Sequence, residues 1–377
     1  MNGTLAPKLS ICIGKHWVLW YEKSNIYSVV DTQFKETLDR YFRSTSPIDF
    51  QKITHNGHTQ SDRDAALKKI KDYLTACNFN ATSKRLLHIK RDCSYRNIKV
   101  NYVINSVSIT VYYDSERVKS LVHPQIENFK VDESEEAKVI FDIYLADNKL
   151  YLFKNEVCLV ERPKYEFHFI SGKFVMHIIN EIHHKKESDW IGTFHGSTVT
   201  DNQTSILFIG NSGSGKSTIS SLLVANGYYL LADDVSPMLA DNKAIYYNPN
   251  GISIKEGAAK VLRPIIKDFD TLPVVDFNRS KGPLRYHSCP KPPKNYYPCK
   301  SIILVHYKKD TETELKEISI DEILQTLIPE SWFSHNEKNA QSFLNWLSAT
   351  KFYKLTYSEN NTMLDLISKV FNTQANY

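Results

Sequence analysis

A strand that runs into a glycine loop and straight on into a helix leaves a chain few folds to choose from, and residues 206–225 read as such a unit. Ile206-Leu-Phe-Ile209 is a short continuous apolar run, the pattern of a strand buried on both faces. Gly210, Asn211, Ser212, Gly213, Ser214, Gly215, Lys216, Ser217 and Thr218 follow, and then an apolar helix carrying Ile219, Leu222 and Leu223. In a loop of this spacing the glycines let backbone N–H groups turn inward around phosphate oxygens, and the helix offers the positive end of its dipole to the same anion. Lys216 is expected to hold β- and γ-phosphates and Ser217 to ligate Mg²⁺, so the implied cofactors are ATP, or another nucleoside triphosphate, and Mg²⁺. The loop does not say what is done with them, because ATPases, transport motors and kinases share it.

At 377 residues the chain exceeds one ordinary core, and two or three domains are expected. Its 47 basic and 42 acidic residues are mixed along the sequence, which describes a solvated surface and excludes a nucleic-acid stripe. Met1 to Lys23 contains no apolar run suited to a signal peptide or membrane span, so a cytoplasmic protein with no membrane partner is expected. The six cysteines have no zinc-like spacing and read as free thiols.

The patterning divides the chain into three. Residues 1–82 read as a small hairpin-plus-helices module: strands at His16–Tyr21 and Ile26–Val30, then one helical face through Phe34, Leu38, Tyr41 and Phe42 and another through Leu67, Ile70, Leu74 and Cys77. Residues 83–188 read as a β-rich antiparallel region closed by a helix over Gly172–Lys186. Residues 189–377 alternate strands and helices around the glycine loop, which gives an α/β class overall. Between them Pro264 to Pro298, rich in Pro, Lys and Tyr, reads as a lid or substrate-facing loop. His177, Glu181 and His184 share a helical face with metal-ligand spacing but lack further ligands, and read as a solvated face.

The reaction is narrowed by Tyr229-Leu-Leu-Ala-Asp233-Asp234, a short strand ending in two carboxylates soon after the loop's helix. One carboxylate can serve the metal side while its neighbour accepts the proton of an attacking hydroxyl, the division of labour that phosphoryl transfer needs. No strand ending in the Asp-Glu pair of a motor ATPase is found. The later strand Ile302 to Val305 ends in His306-Tyr307.

In order and spacing, His195-Gly-Ser-Thr-Val199, Gly210 to Thr218 and Gly227-Tyr-Tyr-Leu-Leu-Ala-Asp-Asp234 resemble the catalytic domain of the HPr kinase/phosphorylase family. The resemblance is closer still to the HPr-kinase-like kinases of lasso-peptide and other ribosomal-peptide gene clusters. It implies a P-loop fold of the HPr kinase/phosphoenolpyruvate carboxykinase type in the C-terminal domain. It also implies that Asp234 is the general base for a seryl proton, Asp233 its electrostatic partner, and His195 an active-site residue near the phosphates. By position Glu256 is a candidate metal ligand beside Ser217, Lys255 a phosphate contact, and Arg285 a stabiliser of transferred charge. The N-terminal module resembles a PqqD-type peptide-binding domain through Trp17, Trp20, Tyr21 and Thr37 to Phe42, which implies a leader peptide bound at a sheet edge.

Departures from the family pattern are equally specific. Thr218 stands where HPr kinases carry Glu, and their downstream Glu-Ile-Arg-Gly segment is not found. The expected function is therefore an ATP- and Mg-dependent kinase for a hydroxyl of a ribosomally made peptide or small protein, with a homo-oligomer implied by the resemblance. A regulatory kinase of an HPr-type carrier protein, and a non-catalytic nucleotide-switched peptide-binding module, stay open as alternatives.

Overall fold

The computed structural model describes residues 3–46, 48–50, 59–80, 88–132, 137–275 and 282–374, and the chain is mixed α/β with several sheets. At its centre lies a ten-stranded sheet. Ser205–Ile209 is its pivot, paired antiparallel with Ser197–Thr200 on one side and parallel with the long strand Tyr296–Tyr307 on the other. All five of its residues are buried. Alternation sends Leu207 and Ile209 into one core, against the helices Ile320–Leu327 and Glu337–Ser348. Ile206 and Phe208 enter a second core, against Lys216–Ala225, Glu256–Leu262 and Asn360–Gln374. The unbroken apolar run is therefore what a strand with helices on both faces requires.

The middle region forms a six-stranded sheet in the order 130–131, 98–104, 107–113, 139–146, 149–154, 157–163. It corrects the antiparallel expectation at one place: Val107–Tyr113 and Val139–Ala146 run parallel. The chain between them is long enough to cross over, through the short helices Glu116–Lys119 and His123–Ile126. The closing helix lies earlier than expected, over Phe167–Ile182. It stops because His184 is left-handed at φ 52° and the N–H groups of His184 and Lys185 return to the carbonyls of Glu181 and Asn180, a Schellman ending. Ile170, Phe174, Ile178 and Ile182 pack on the six-stranded sheet, whereas Val175, Met176 and Ile179 pack against Trp190, Leu239 and Tyr246 of the central one. Glu181 pairs with Lys154, and no group of three or more His, Cys, Asp or Glu able to hold a metal is found among the described residues.

The N-terminal hairpin proves to be three strands, Leu9–Ile13, His16–Tyr21 and Ile26–Asp31, because Leu9–Ile13 alternates across the turn at Gly14 and pairs with the first expected strand. The expected helices are Thr32–Arg43, capped by Asp31, and Gln60–Cys77, capped by Thr59. They cover one face of the small sheet through Leu19, Tyr21, Leu38, Tyr41, Ile70 and Leu74. Its other face joins the C-terminal core: Tyr27 lies 5.1 Å from the ring of Phe333 and 5.0 Å from that of Phe343. Trp20 and Tyr21 are fully buried, with the Trp20 indole N–H donating to Asn25 Oδ1. Both are core residues. Cys289 and Cys299 are free thiols, and no described helix is long and apolar enough to cross a membrane.

Because Tyr27 is packed between aromatic rings of the C-terminal core, Tyr27→Ala should lower stability by about 3–5 kcal/mol, read as a reduced urea midpoint.

Candidate functional site

Strand direction brings His195, the loop Gly210 to Thr218 and Asp233-Asp234 to one end of the central sheet. Ser205–Ile209 delivers Gly210 to Thr218 at its C-terminal end. Ser197–Thr200 runs antiparallel to it, so His195-Gly196 turns at that same end. Tyr229–Ala232 is antiparallel in turn to Ser197–Thr200, and Asp233-Asp234 emerge beside the loop.

The loop is a tight turn set by its glycines. Gly213 and Gly215 have φ of 86° and 101°, left-handed values that favour glycine, and Gly215 starts the helix Lys216–Ala225, whose first N–H groups lack helical acceptors. A Cβ on Gly215 would lie 2.4 Å from Tyr357 Oη, so the loop rests directly on the end of the strand Lys351–Tyr357. Tyr307 N–H donates to the Ser214 carbonyl at 3.0 Å and fixes the loop's other side. Lys216 is buried, and its Nζ donates to the Gly210 carbonyl at 2.6 Å. Burial holds its pKa below that of a free lysine, against the opposing pull of the Asp234 and Asp233 charges and, more weakly, of Glu330. Lys255 reaches the same loop and donates from Nζ to Ser212 Oγ. Asn211, Ser217 and Thr218 complete the loop, and Ser217 has the helical position from which its hydroxyl can meet a phosphate-bound cation.

Asp233 is the most constrained group of the site. It is 2% exposed, accepts from the Ser197 hydroxyl on Oδ1, and accepts on Oδ2 from the Ser253 amide at 2.9 Å. Burial first, and the neighbouring Asp234 charge second, push its pKa up to about 7 despite those donors. Asp234 is exposed and left-handed at φ 58°, a conformation Asp tolerates, and it accepts from Ser253 Oγ at 3.0 Å. The strand Ile252–Lys255 thus binds both carboxylates through Ser253 while sending Lys255 to the loop.

Beyond the carboxylates opens a cavity of about 290 Å³ lined by His195, Asp233 and Asp234, by Leu284 and Tyr286, and by residues of the middle region that include Leu121, Gln125, Phe167, His168, Ser171 and Gly172. His195 is half-buried there, its backbone N–H held by Ser331 Oγ at 3.1 Å. Two sequence candidates stand apart. Arg285 lies on the strand Leu284–His287 between the two cavity-lining residues and points the other way, over the Phe269 ring and toward the Leu272 carbonyl at 3.4 Å. Glu256 is exposed in the first turn of Glu256–Leu262 and is not among the residues lining the cavity. The segment Pro264 to Pro298, expected as a lid or substrate-facing loop, supplies two strands of a small sheet, Val274–Val275 and Leu284–His287, with Leu284 and Tyr286 on the cavity; residues 276–281 lie outside the described residues.

Sequence reasoning missed Ser253, Tyr357 and the whole middle-region wall. Ser253 had a signal, a lone polar residue between Ile252 and Ile254 in a strand. The wall had none, because its residues are distant in sequence and ordinary in type.

No protein-family model matches the sequence, and no curated protein matches it. Among solved structures the chain is similar to the Hpr(Ser) kinase/phosphatase from Coxiella burnetii, at 14% identity and a TM-score of 0.23, over 49% of this chain and 97% of that one. A likeness at that score carries no argument about activity, and the site stands on its own geometry.

A carboxyl whose pKa is raised on folding binds its proton more tightly in the native state, so stability must fall as pH rises from about 4, the unfolded value, to about 7. Asp233→Asn should remove that part of the fall, since the Ser197 hydroxyl can turn to accept from the new amide. Urea midpoints of both proteins across this range check it.

Proposed function

We propose that the protein is a kinase that moves the γ-phosphoryl group of a nucleoside triphosphate to a hydroxyl of a peptide or small protein. The observation that carries this reading is the order of parts at the sheet edge: phosphate loop, then two carboxylates, then a cavity. Lys216 stands close enough to Asp233 and Asp234 to feel both charges, and both carboxylates line the cavity.

A hydroxyl in that cavity meets Asp234 first. As its oxygen bonds to the γ-phosphorus, the bond from phosphorus to the β–γ bridging oxygen breaks, the hydroxyl proton passes to an Asp234 carboxylate oxygen, and nucleoside diphosphate leaves. Asp233, buried and hydrogen-bonded, holds Asp234 in place through their shared partner Ser253 and sets the charge of the pair. Lys216 and Lys255 turn toward the phosphates in place of their present loop contacts. Mg²⁺, when bound, withdraws charge from the transferring group. The chain suits an ion that arrives with its phosphates: Ser217 and the carboxylates offer a few oxygens, and Mg²⁺ is ordinarily held by one or two carboxylates plus substrate phosphate. The ribosomal precursor as acceptor, and capture of its leader at an edge of the N-terminal sheet, belong to the same proposal and are tested by adding precursors with and without their leader.

Two outcomes are expected. Asp234→Asn should lower phosphoryl transfer by about 10²–10⁴-fold while keeping nucleotide affinity, read by mass spectrometry of the peptide and by a fluorescent ATP analogue. Lys216→Ala should weaken binding of that analogue by about 10- to 100-fold. Full transfer by Asp234→Asn would sink the assignment of the base.

A further inference from the structure

The cavity beside Asp234 has features that the transfer chemistry alone does not require. Its volume, about 290 Å³, is roughly twice that of a cavity that holds one benzene. That is room for one or two side chains and too little for a nucleoside triphosphate, which the loop already serves. Its walls come from a middle-region helix and from the small sheet that holds Ser253, Leu284 and Tyr286. Helix Phe167–Ile182 contributes Phe167, Ser171 and Val175, while the side chain of Gln125 accepts from Asn250 Nδ2 at 2.8 Å and its carbonyl from Gly251 N–H at 2.9 Å, which ties the middle region to the catalytic edge.

The lining is also selective in charge. It contains no Lys or Arg; its acidic groups are Asp233 and Asp234, and its basic ones are the imidazoles of His168 and His195. An acceptor carrying a carboxylate or phosphate near its hydroxyl would face the like charge of Asp233 and Asp234, with the imidazoles of His168 and His195 the only basic side chains on the lining. Leu121, Phe167, Val175, Leu284 and the ring of Tyr286 offer apolar surface instead.

Gly172 supplies the second, independent observation. It lies inside the helix Phe167–Ile182, where glycine is disfavoured, yet a Cβ there would meet nothing within 4 Å. Neither packing nor backbone conformation calls for glycine at this position. Gly172 is among the lining residues, so this stretch of the middle-region wall carries no side chain.

Resting on the kinase reading of the site, we propose that this cavity is the acceptor pocket, that the middle region forms its selective wall through Gly172 and its neighbours, and that it takes a hydroxyl-bearing side chain flanked by uncharged, apolar groups. Acceptor choice then resides in Leu121, Phe167, Gly172 and Val175 together with Leu284 and Tyr286, separate from the loop Gly210 to Thr218.

The test uses the full chain and a peptide library with one central Ser and randomised flanks. In one arm the library is incubated with ATP and Mg²⁺ and phosphopeptides are sequenced by mass spectrometry. In the other it is passed over immobilised protein with a non-hydrolysable ATP analogue, and retained peptides are sequenced. Both arms should enrich apolar flanks and deplete Asp and Glu by at least about tenfold. Gly172→Trp should lower labelling and retention by about 100-fold with nucleotide-analogue affinity unchanged, and Gly172→Ala should behave as wild type. Gly172→Leu replaces the tryptophan variant if that one loses analogue binding. Retention that Gly172→Trp abolishes, without any labelling, would overturn the kinase reading and leave the pocket standing. Labelling or retention untouched by Gly172→Trp, or enriched in acidic flanks, would overturn the pocket. Neither labelling nor retention by the wild type would overturn both.

Discussion

A carboxylate buried at the meeting point of three strands organises the functional edge of this protein. Asp233 takes a hydroxyl from the start of one strand and an amide from a second, at the end of the third, which carries it. A charge so placed is costly unless it is hydrogen-bonded, and the two donors only partly offset burial and a like-charged neighbour. The resulting proton affinity near neutrality is a property of the pair, with Ser253 shared between its members. Losing either donor would leave the carboxylate without the geometry that fixes Asp234, so the site's precision is tied to a locally unfavourable group.

What could be read from the sequence follows from how local the information is. The loop was legible because its strand, glycines, lysine and helix are contiguous, and Ile206–Ile209 announced burial on both faces. Asp233-Asp234 were legible as a strand end, and His195 through its spacing to the loop. Arg285 shows the limit: alternation in Leu284–His287 is plain, but which parity faces the cavity is decided by pairing with Ile252–Lys255, a partner some thirty residues away. The parallel pair in the middle sheet was hidden for the same reason, since a crossover and a hairpin present similar strands. The cavity wall was beyond local pattern altogether, being assembled from residues near 121, 170, 250 and 285.

The loop Gly210 to Thr218 is itself supported from below. Tyr357 beneath Gly215 and Tyr307 bound to Ser214 make the ends of two parallel strands its floor. Lys216 donates to the Gly210 and Asn211 carbonyls of the loop, which satisfies a buried ammonium.

The helix Phe167–Ile182 carries apolar side chains toward two different sheets, and Tyr27 likewise joins the N-terminal sheet to the C-terminal core. Neither helix nor tyrosine can leave one neighbour without exposing the surface it shares with the other. The three regions that sequence texture separates are therefore thermodynamically one body: heat or denaturant should take them apart in a single concerted transition, with no folded fragment outliving the rest.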